Sequence, residues 1–487
     1  MVSSSSSSLP AHRVGDTFRV KGLELTDHFF ACPLDHAAPE GEQIEVFARE
    51  VVAVDKARQG ASDDPDASAS AKRAKMPHLL YLQGGPGFEA ARPTEIGGWL
   101  AHACETHRVI LLDQRGTGRS TAVSVASLAR RGDVATQAAY ASMFRADAIV
   151  KDAETIRAIL CGRDVKWSVL GQSFGGFCIA HYLSFHSGGL REAFLTGGLP
   201  PLVREENAAA ATYERLVERV MAQNEKYYAR FPNDARRVKS IVNFVASNPE
   251  KSATPNGGRL TPRMVQALGF SALGTAGGME SLHYLLEKAW DVDGDALSYR
   301  FLKGCEDVHA FDTNPLYAIL HESIYCNGGG PSAWAAEAAI RRRWAGAFDP
   351  IEAAAAIDDD ATRVLFTGEM IFPHMFDDVA PLRALKPVAE ALAAKTDWGV
   401  LYDADALNAC DVPVACAAYY EDAFVDVELG AATAREIRRV LLHTGSHTTP
   451  GARVWTTSEY MHSGVREDGA RILKKLMAMA RDEDVLR

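Results

Sequence analysis

Apolar and polar positions alternate in Phe18-Arg19-Val20 and again in Ile44-Glu45-Val46-Phe47-Ala48. This period-two pattern of half-buried strands predicts an antiparallel strand pair at a sheet edge within residues 16–54. The pattern then changes to short unbroken apolar runs at 78–83, 108–113, 166–170 and 193–196, which read as strands buried on both faces. Helical stretches separate them, and this alternation predicts an α/β fold with a mostly parallel sheet covered on both sides.

From about residue 201 to 407 the chain becomes alanine-rich and helical and rich in aromatic residues, as at 213–231 and 333–347. The strand pattern resumes at 412–420. A helix is expected at 434–442, a strand at 452–456, and a closing amphipathic helix at 468–481 with Ile472, Leu473, Leu476 and Met477 on one face. A chain of 487 residues exceeds one usual core. The expected organisation is a tail at 1–15, a first core part at 16–200, an inserted helical cap at 201–407 and a second core part at 408–487. Within the first part, 56–75 is rich in Ser, Ala, Asp and Lys and reads as a disordered loop insertion. No internal repeat interrupts this plan.

Composition narrows the partners. A formal charge of −11 disfavours nucleic acid and anionic membranes, which select clustered Lys and Arg. No apolar run is long enough to span a bilayer. The start, Met1-Val2 and then six serines, lacks the charged and apolar regions of a secretory signal. Eight cysteines are scattered without Cys-x-x-Cys spacing or clustered histidines, so neither a metal site nor a disulfide framework is expected. They read as reduced thiols of a cytoplasmic protein, with Cys178 packing in the core. Oligomeric state is not encoded legibly.

The chemistry centres on Gly171-Gln172-Ser173-Phe174-Gly175, set between a buried strand and a helix expected at 176–185. A serine on a sharp strand-to-helix turn needs small neighbours, and Gly171, Gly175 and Gly176 supply them. A glycine-rich turn with an idle serine is the competing reading. A serine hydroxyl needs a base, and the base an orienting carboxylate, in the chain order Ser, acid, His for this arrangement. Asp422, just past the strand at 412–420, is the expected acid, with Asp426 and Glu421 as alternatives. His462 follows the last strand and is the expected base. His447 precedes that strand, at the wrong end, and is the alternative. Two backbone amides are needed for an oxyanion: Phe174, after the serine, and Gly85, in the loop Gln83-Gly84-Gly85-Pro86-Gly87. That loop could instead be a plain tight turn.

That loop, Asp113-Gln114-Arg115-Gly116-Thr117-Gly118-Arg119-Ser120 and Gly171-Gln172-Ser173-Phe174-Gly175-Gly176 together resemble three signature segments of the prolyl aminopeptidase (proline iminopeptidase) family of α/β-hydrolases. Segments 320–326, 366–371 and 459–464 resemble its larger members, so the similarity covers most of the chain beyond residue 16. Gln83 departs from the histidine of many relatives. The resemblance implies release of N-terminal proline from peptides through an acyl-enzyme, without metal or cofactor. An esterase or amidase of the same fold, or a silent ligand-binding relative, are the other readings. An exopeptidase must pair the substrate's charged amino end with a carboxylate. Glu322 and Glu369, each among apolar residues, are the expected substrate-binding acids, with helix capping or surface placement as the alternative. The 113–120 loop is expected to pack the floor of the site, with Arg115 tied to Asp113.

Overall fold

The computed structural model describes residues 11–54, 76–202, 208–309, 311–359, 361–439, 449–450 and 452–483. Nine strands form one sheet: β1 (His12–Val20), β2 (Leu23–Pro33), β3 (Gln43–Ala53), β4 (His78–Leu82), β5 (Arg108–Leu112), β6 (Trp167–Gln172), β7 (Leu190–Thr196), β8 (Val414–Tyr419) and β11 (Arg453–Thr457). The short strands β9 (Arg438–Arg439) and β10 (Thr449–Pro450) pair only with each other. The order across the sheet is β1-β2-β3-β5-β4-β6-β7-β8-β11. The ladders from β5 to β11 are parallel, whereas β1, β2, β3 and β5 pair antiparallel. The run-and-helix alternation therefore yields the mostly parallel sheet it predicts.

Two details of the edge differ from expectation. The strands read from alternation do not pair with each other, because β2 lies between them. β2 is neither a sustained alternation nor an unbroken apolar run: Leu23, Leu25, Phe29, Phe30 and Cys32 are buried on both sides, Glu24, Asp27 and His28 interrupt them, and buried Asp27 is neutralised by Arg49 at 2.7 Å. β1 also begins at His12, inside the expected tail, with the His12 and Phe30 rings stacked at 4.7 Å. The expected insertion at 56–75 lies outside the described residues.

Between β7 and β8 the chain is helical. Ala208–Arg230 and Asp234–Ser247 are long, and the helices that follow, among the described residues, have nine residues or fewer. The expected helix at 333–347 is shortened to Ala335–Arg343. Helix Ala208–Arg230 buries Tyr213, Leu216, Val217, Val220, Asn224, Tyr227 and Tyr228, a three-and-four spacing that makes one continuous face. On that face the Asn224 amide donates to the Phe366 carbonyl at 2.9 Å, and its oxygen accepts from the Phe366 amide at 2.8 Å. The loop that follows Phe366, through Gly368 and Glu369, is fixed on the helix by this pair.

The helix expected at 434–442 is Val427–Glu436 instead. Asp426 caps it, accepting from the amides of Glu428 at 3.0 Å and Leu429 at 2.9 Å, so the helix starts where the cap is. The last helix, Gly469–Ala480, buries Ile472, Leu473, Leu476 and Met477 as its periodicity requires. Among the described residues no helix is long and apolar enough to cross a membrane.

Candidate active site

Ser173 stands between β6 and helix Phe174–Phe185 with φ 55° and ψ −124°. A residue with a side chain is strained in this region, and such strain persists only where packing imposes it. The packing is visible at two glycines: a Cβ on Gly175 would strike the Leu82 carbonyl, and one on Gly176 would strike that of Gly198. The Ser173 amide donates to Thr196 O at 3.0 Å, which pins the turn to β7. The helix starts at Phe174, two residues earlier than its apolar pattern suggests.

Asp422 lies just beyond β8 and His462 beyond β11, at the same edge of the sheet as Ser173 because the three strands are parallel. Oδ1 of Asp422 accepts from the amides of Phe424 at 2.7 Å and Val425 at 3.0 Å. Its Oδ2 lies 2.8 Å from Nδ1 of His462. A carboxylate only accepts, so the contact assigns the proton to Nδ1 and leaves Nε2 as the basic nitrogen. Burial works against charging the His462 ring, but Asp422, by charge and hydrogen bond, and Glu369, by charge, outweigh it and raise its pKa above the ordinary 6.5.

The competing residues are engaged elsewhere. Asp426 caps its helix and also pairs with Arg219 at 2.8 Å. Glu421 accepts from Gln223 at 3.1 Å and pairs with Lys226. His447 lies outside the described residues.

Ser173 and His462 open into one cleft of about 790 Å³. Gln83, Gly84 and Gly85 form part of its wall. The Phe174 amide belongs to the first turn of its helix, where amides have no partner within the helix. Phe270, Tyr317, Phe424 and Phe88 make the cleft aromatic.

Glu369 lines the same cleft. Its Oε1 accepts from the Tyr317 hydroxyl at 2.6 Å, and Oε2 lies 3.8 Å from Nε2 of buried His321, whose Nδ1 is 3.1 Å from the Tyr213 hydroxyl. Burial alone would raise the Glu369 pKa, but His321, His462 and the Tyr317 hydroxyl overcome it and lower the value below 4.5. A negative charge is thereby kept at an aromatic wall beside the serine.

Glu322 is not at this cleft. It is buried at the start of helix Ala335–Arg343, where its oxygens accept from the amides of Ala335 and Ala336, both at 3.1 Å. Burial pushes its pKa up to about 7, partly opposed by those amides. At adjacent positions of one apolar segment, His321 faces Glu369 while Glu322 faces a helix terminus, which the apolar surroundings of both glutamates did not separate.

Arg115 is also placed differently. Its guanidinium binds Asp152 at 2.6 and 2.7 Å and donates to the carbonyls of Pro33, Leu34 and Met143. Asp113 binds Arg92 instead, at 2.5 and 2.8 Å. Asp152 and Arg92 lie far from the motif in sequence, so charge pairing within it pointed to the wrong partner. Tyr317 and Phe270 carried no motif, and His321, within the resembling segment 320–326, was given no role; the fold gathers them. Among the described residues no cluster of His, Cys, Asp and Glu could hold a metal ion.

Residues 77–265 match the family model described as the alpha/beta hydrolase fold. Over 478 residues the chain is 42% identical to a proline iminopeptidase of Aeromonas sobria, covering 98% of this chain and all of that one. It is 32% identical over 462 residues to the proline iminopeptidase aneH of Aspergillus aculeatus, covering 93% of each.

Proposed function

The chain belongs to the proline iminopeptidase family of α/β-hydrolases, and from that premise we propose how it releases N-terminal proline from peptides. Ser173 Oγ attacks the prolyl carbonyl while His462 Nε2 takes its proton. Asp422 holds the ring and stabilises the imidazolium. The amides of Gly85 and Phe174 donate to the oxyanion. Collapse of this intermediate breaks the C–N bond, and His462 returns the proton to the departing peptide amine. Water, deprotonated by the same ring, then hydrolyses the prolyl ester of Ser173 and frees proline.

One observation carries the exopeptidase reading: Glu369, held ionised by Tyr317 and His321, shares a cleft with Ser173 and His462. A plain esterase has no need of that charge. The imino group of an N-terminal proline is a cation that loses its water in an aromatic pocket and must be repaid by an anion. The segment between β7 and β8, which delivers Tyr317, His321 and Glu369, is the helical cap in this reading. Eight free thiols support a cytoplasmic location.

The test is hydrolysis of proline arylamide against acetyl-proline arylamide. The substrate with the free amine is expected to be cleaved at least tenfold better, since a charged hydrogen bond is worth about 1.5–3 kcal/mol. Equal rates on both would exclude an anchor for the amino end.

A further inference from the structure

The cleft is lined by charges of both signs. Glu369 lies among Phe270 and Tyr317 on the wall contributed by the helical segment. Tyr81 and Trp99, stacked at 4.6 Å, also line the cleft, as do Arg92 and Arg466. Arg92 is already neutralised, bound to Asp113 at 2.5 Å and to Glu89 at 3.1 Å. Arg466, in the short helix Gly464–Glu467 that follows His462, is exposed and has no ion-pair partner among the described residues. Its charge reaches both the His462 ring and Tyr81. Glu369 and Arg466 thus line the same cleft as Ser173 and His462, one anion and one cation whose charges bias the histidine in opposite directions.

A short peptide is a zwitterion with the complementary layout. We propose that Arg466 receives the C-terminal carboxylate of a short substrate, so that the cleft favours proline dipeptides with a free carboxylate over the same peptides carried on as amides. The proposal rests on the aminopeptidase reading, which seats the imino group at Glu369. Both charges line the one cleft that holds Ser173 and His462, and Arg466 stands four positions after His462 in the chain, so a ligand held at both ends within that cleft must be short. The planar guanidinium matches a carboxylate with two parallel hydrogen bonds. Arg466 is a specificity residue here; it takes no part in proton transfer.

The experiment compares kcat/KM for Pro-Gly with kcat/KM for Pro-Gly-amide, with proline arylamide as a third substrate. In the native enzyme Pro-Gly is expected to be favoured by about tenfold, the scale of one charge-assisted hydrogen bond near solvent. Arg466→Gln should bring that ratio close to one through KM, Arg466→Lys should restore part of it, and Arg466→Glu should invert it. Native enzyme without preference, or an unchanged ratio in Arg466→Gln, overturns the carboxylate site alone. Failure to cleave any of the three overturns the aminopeptidase reading and this site with it.

Discussion

Nδ1 of His462 lies 2.8 Å from Oδ2 of Asp422, across 40 residues of sequence. The contact exists because β8 and β11 are parallel neighbours, which sends the loop after each to the same sheet edge. It sets the basicity of the ring, and the first prediction follows from it. As the proposed base His462 must be neutral, and its pKa is raised above 6.5 by Asp422 and Glu369 against the effect of burial. The acid limb of kcat/KM should therefore have its midpoint above 6.5 and activity should fall as pH drops through it. Asp422→Asn should move that midpoint down and cost about a thousand- to ten-thousandfold in kcat. A pH–rate profile of both enzymes checks this, and an unmoved midpoint would remove Asp422 from contact with the titrating group.

Ser173→Ala removes only the attacking oxygen. Turnover should fall by something on the order of a millionfold, because residues that act as a unit lose nearly everything together. Circular dichroism and thermal melting should match the native protein, since the glycine contacts around the turn remain. Residual activity near the native level would place the nucleophile elsewhere.

Glu369→Gln keeps the size of the side chain and its acceptor for the Tyr317 hydroxyl, but loses the charge. kcat/KM on proline arylamide should drop by about ten to a few hundredfold, as expected for one buried charged hydrogen bond. Hydrolysis of a simple ester without an amine should change little. Equal losses on both substrates would make Glu369 a support of the fold alone.

Glu322 should answer to pH through stability. Its pKa of about 7 in the fold exceeds the 4.5 of an exposed glutamate. The folded state therefore holds its proton more tightly, a contribution fully present below about pH 4.5 and lost as pH rises through about 7. Between pH 5 and pH 8 the melting temperature of Glu322→Gln should fall less than that of the native chain, with activity on proline arylamide retained. Melting curves at the two pH values decide it. An identical pH response would mean that Glu322 is not protonated in the fold.

Much of this site is local in sequence. The strand run before Ser173 and the glycine loop at Gly85 are legible in their own segments, and so are Gly175 and Gly176, although the contacts that require those two glycines come from the Leu82 and Gly198 carbonyls elsewhere in the chain. Periodicity likewise placed the buried strands and the closing helix, because every strand between two layers must be apolar on both faces. The chain order of Ser173, Asp422 and His462 is fixed by the strands that precede them. The same reasoning missed β2, in which Glu24, Asp27 and His28 break the apolar run, and misplaced the helix after Asp426, whose cap outweighs apolar spacing.

What the sequence by itself determined is thus the set of elements and the loops that carry Ser173, Asp422 and His462. Only the tertiary structure decided which charges meet. Arg115 takes Asp152 from a distant helix, Asp113 takes Arg92, and Glu369 finds Tyr317 and His321 while Glu322, next to His321 in the chain, caps a helix. A charged side chain leaves water only for a partner of opposite sign or a set of aligned amides, and that partner can come from anywhere the fold brings close. Short-range pattern carries no record of it.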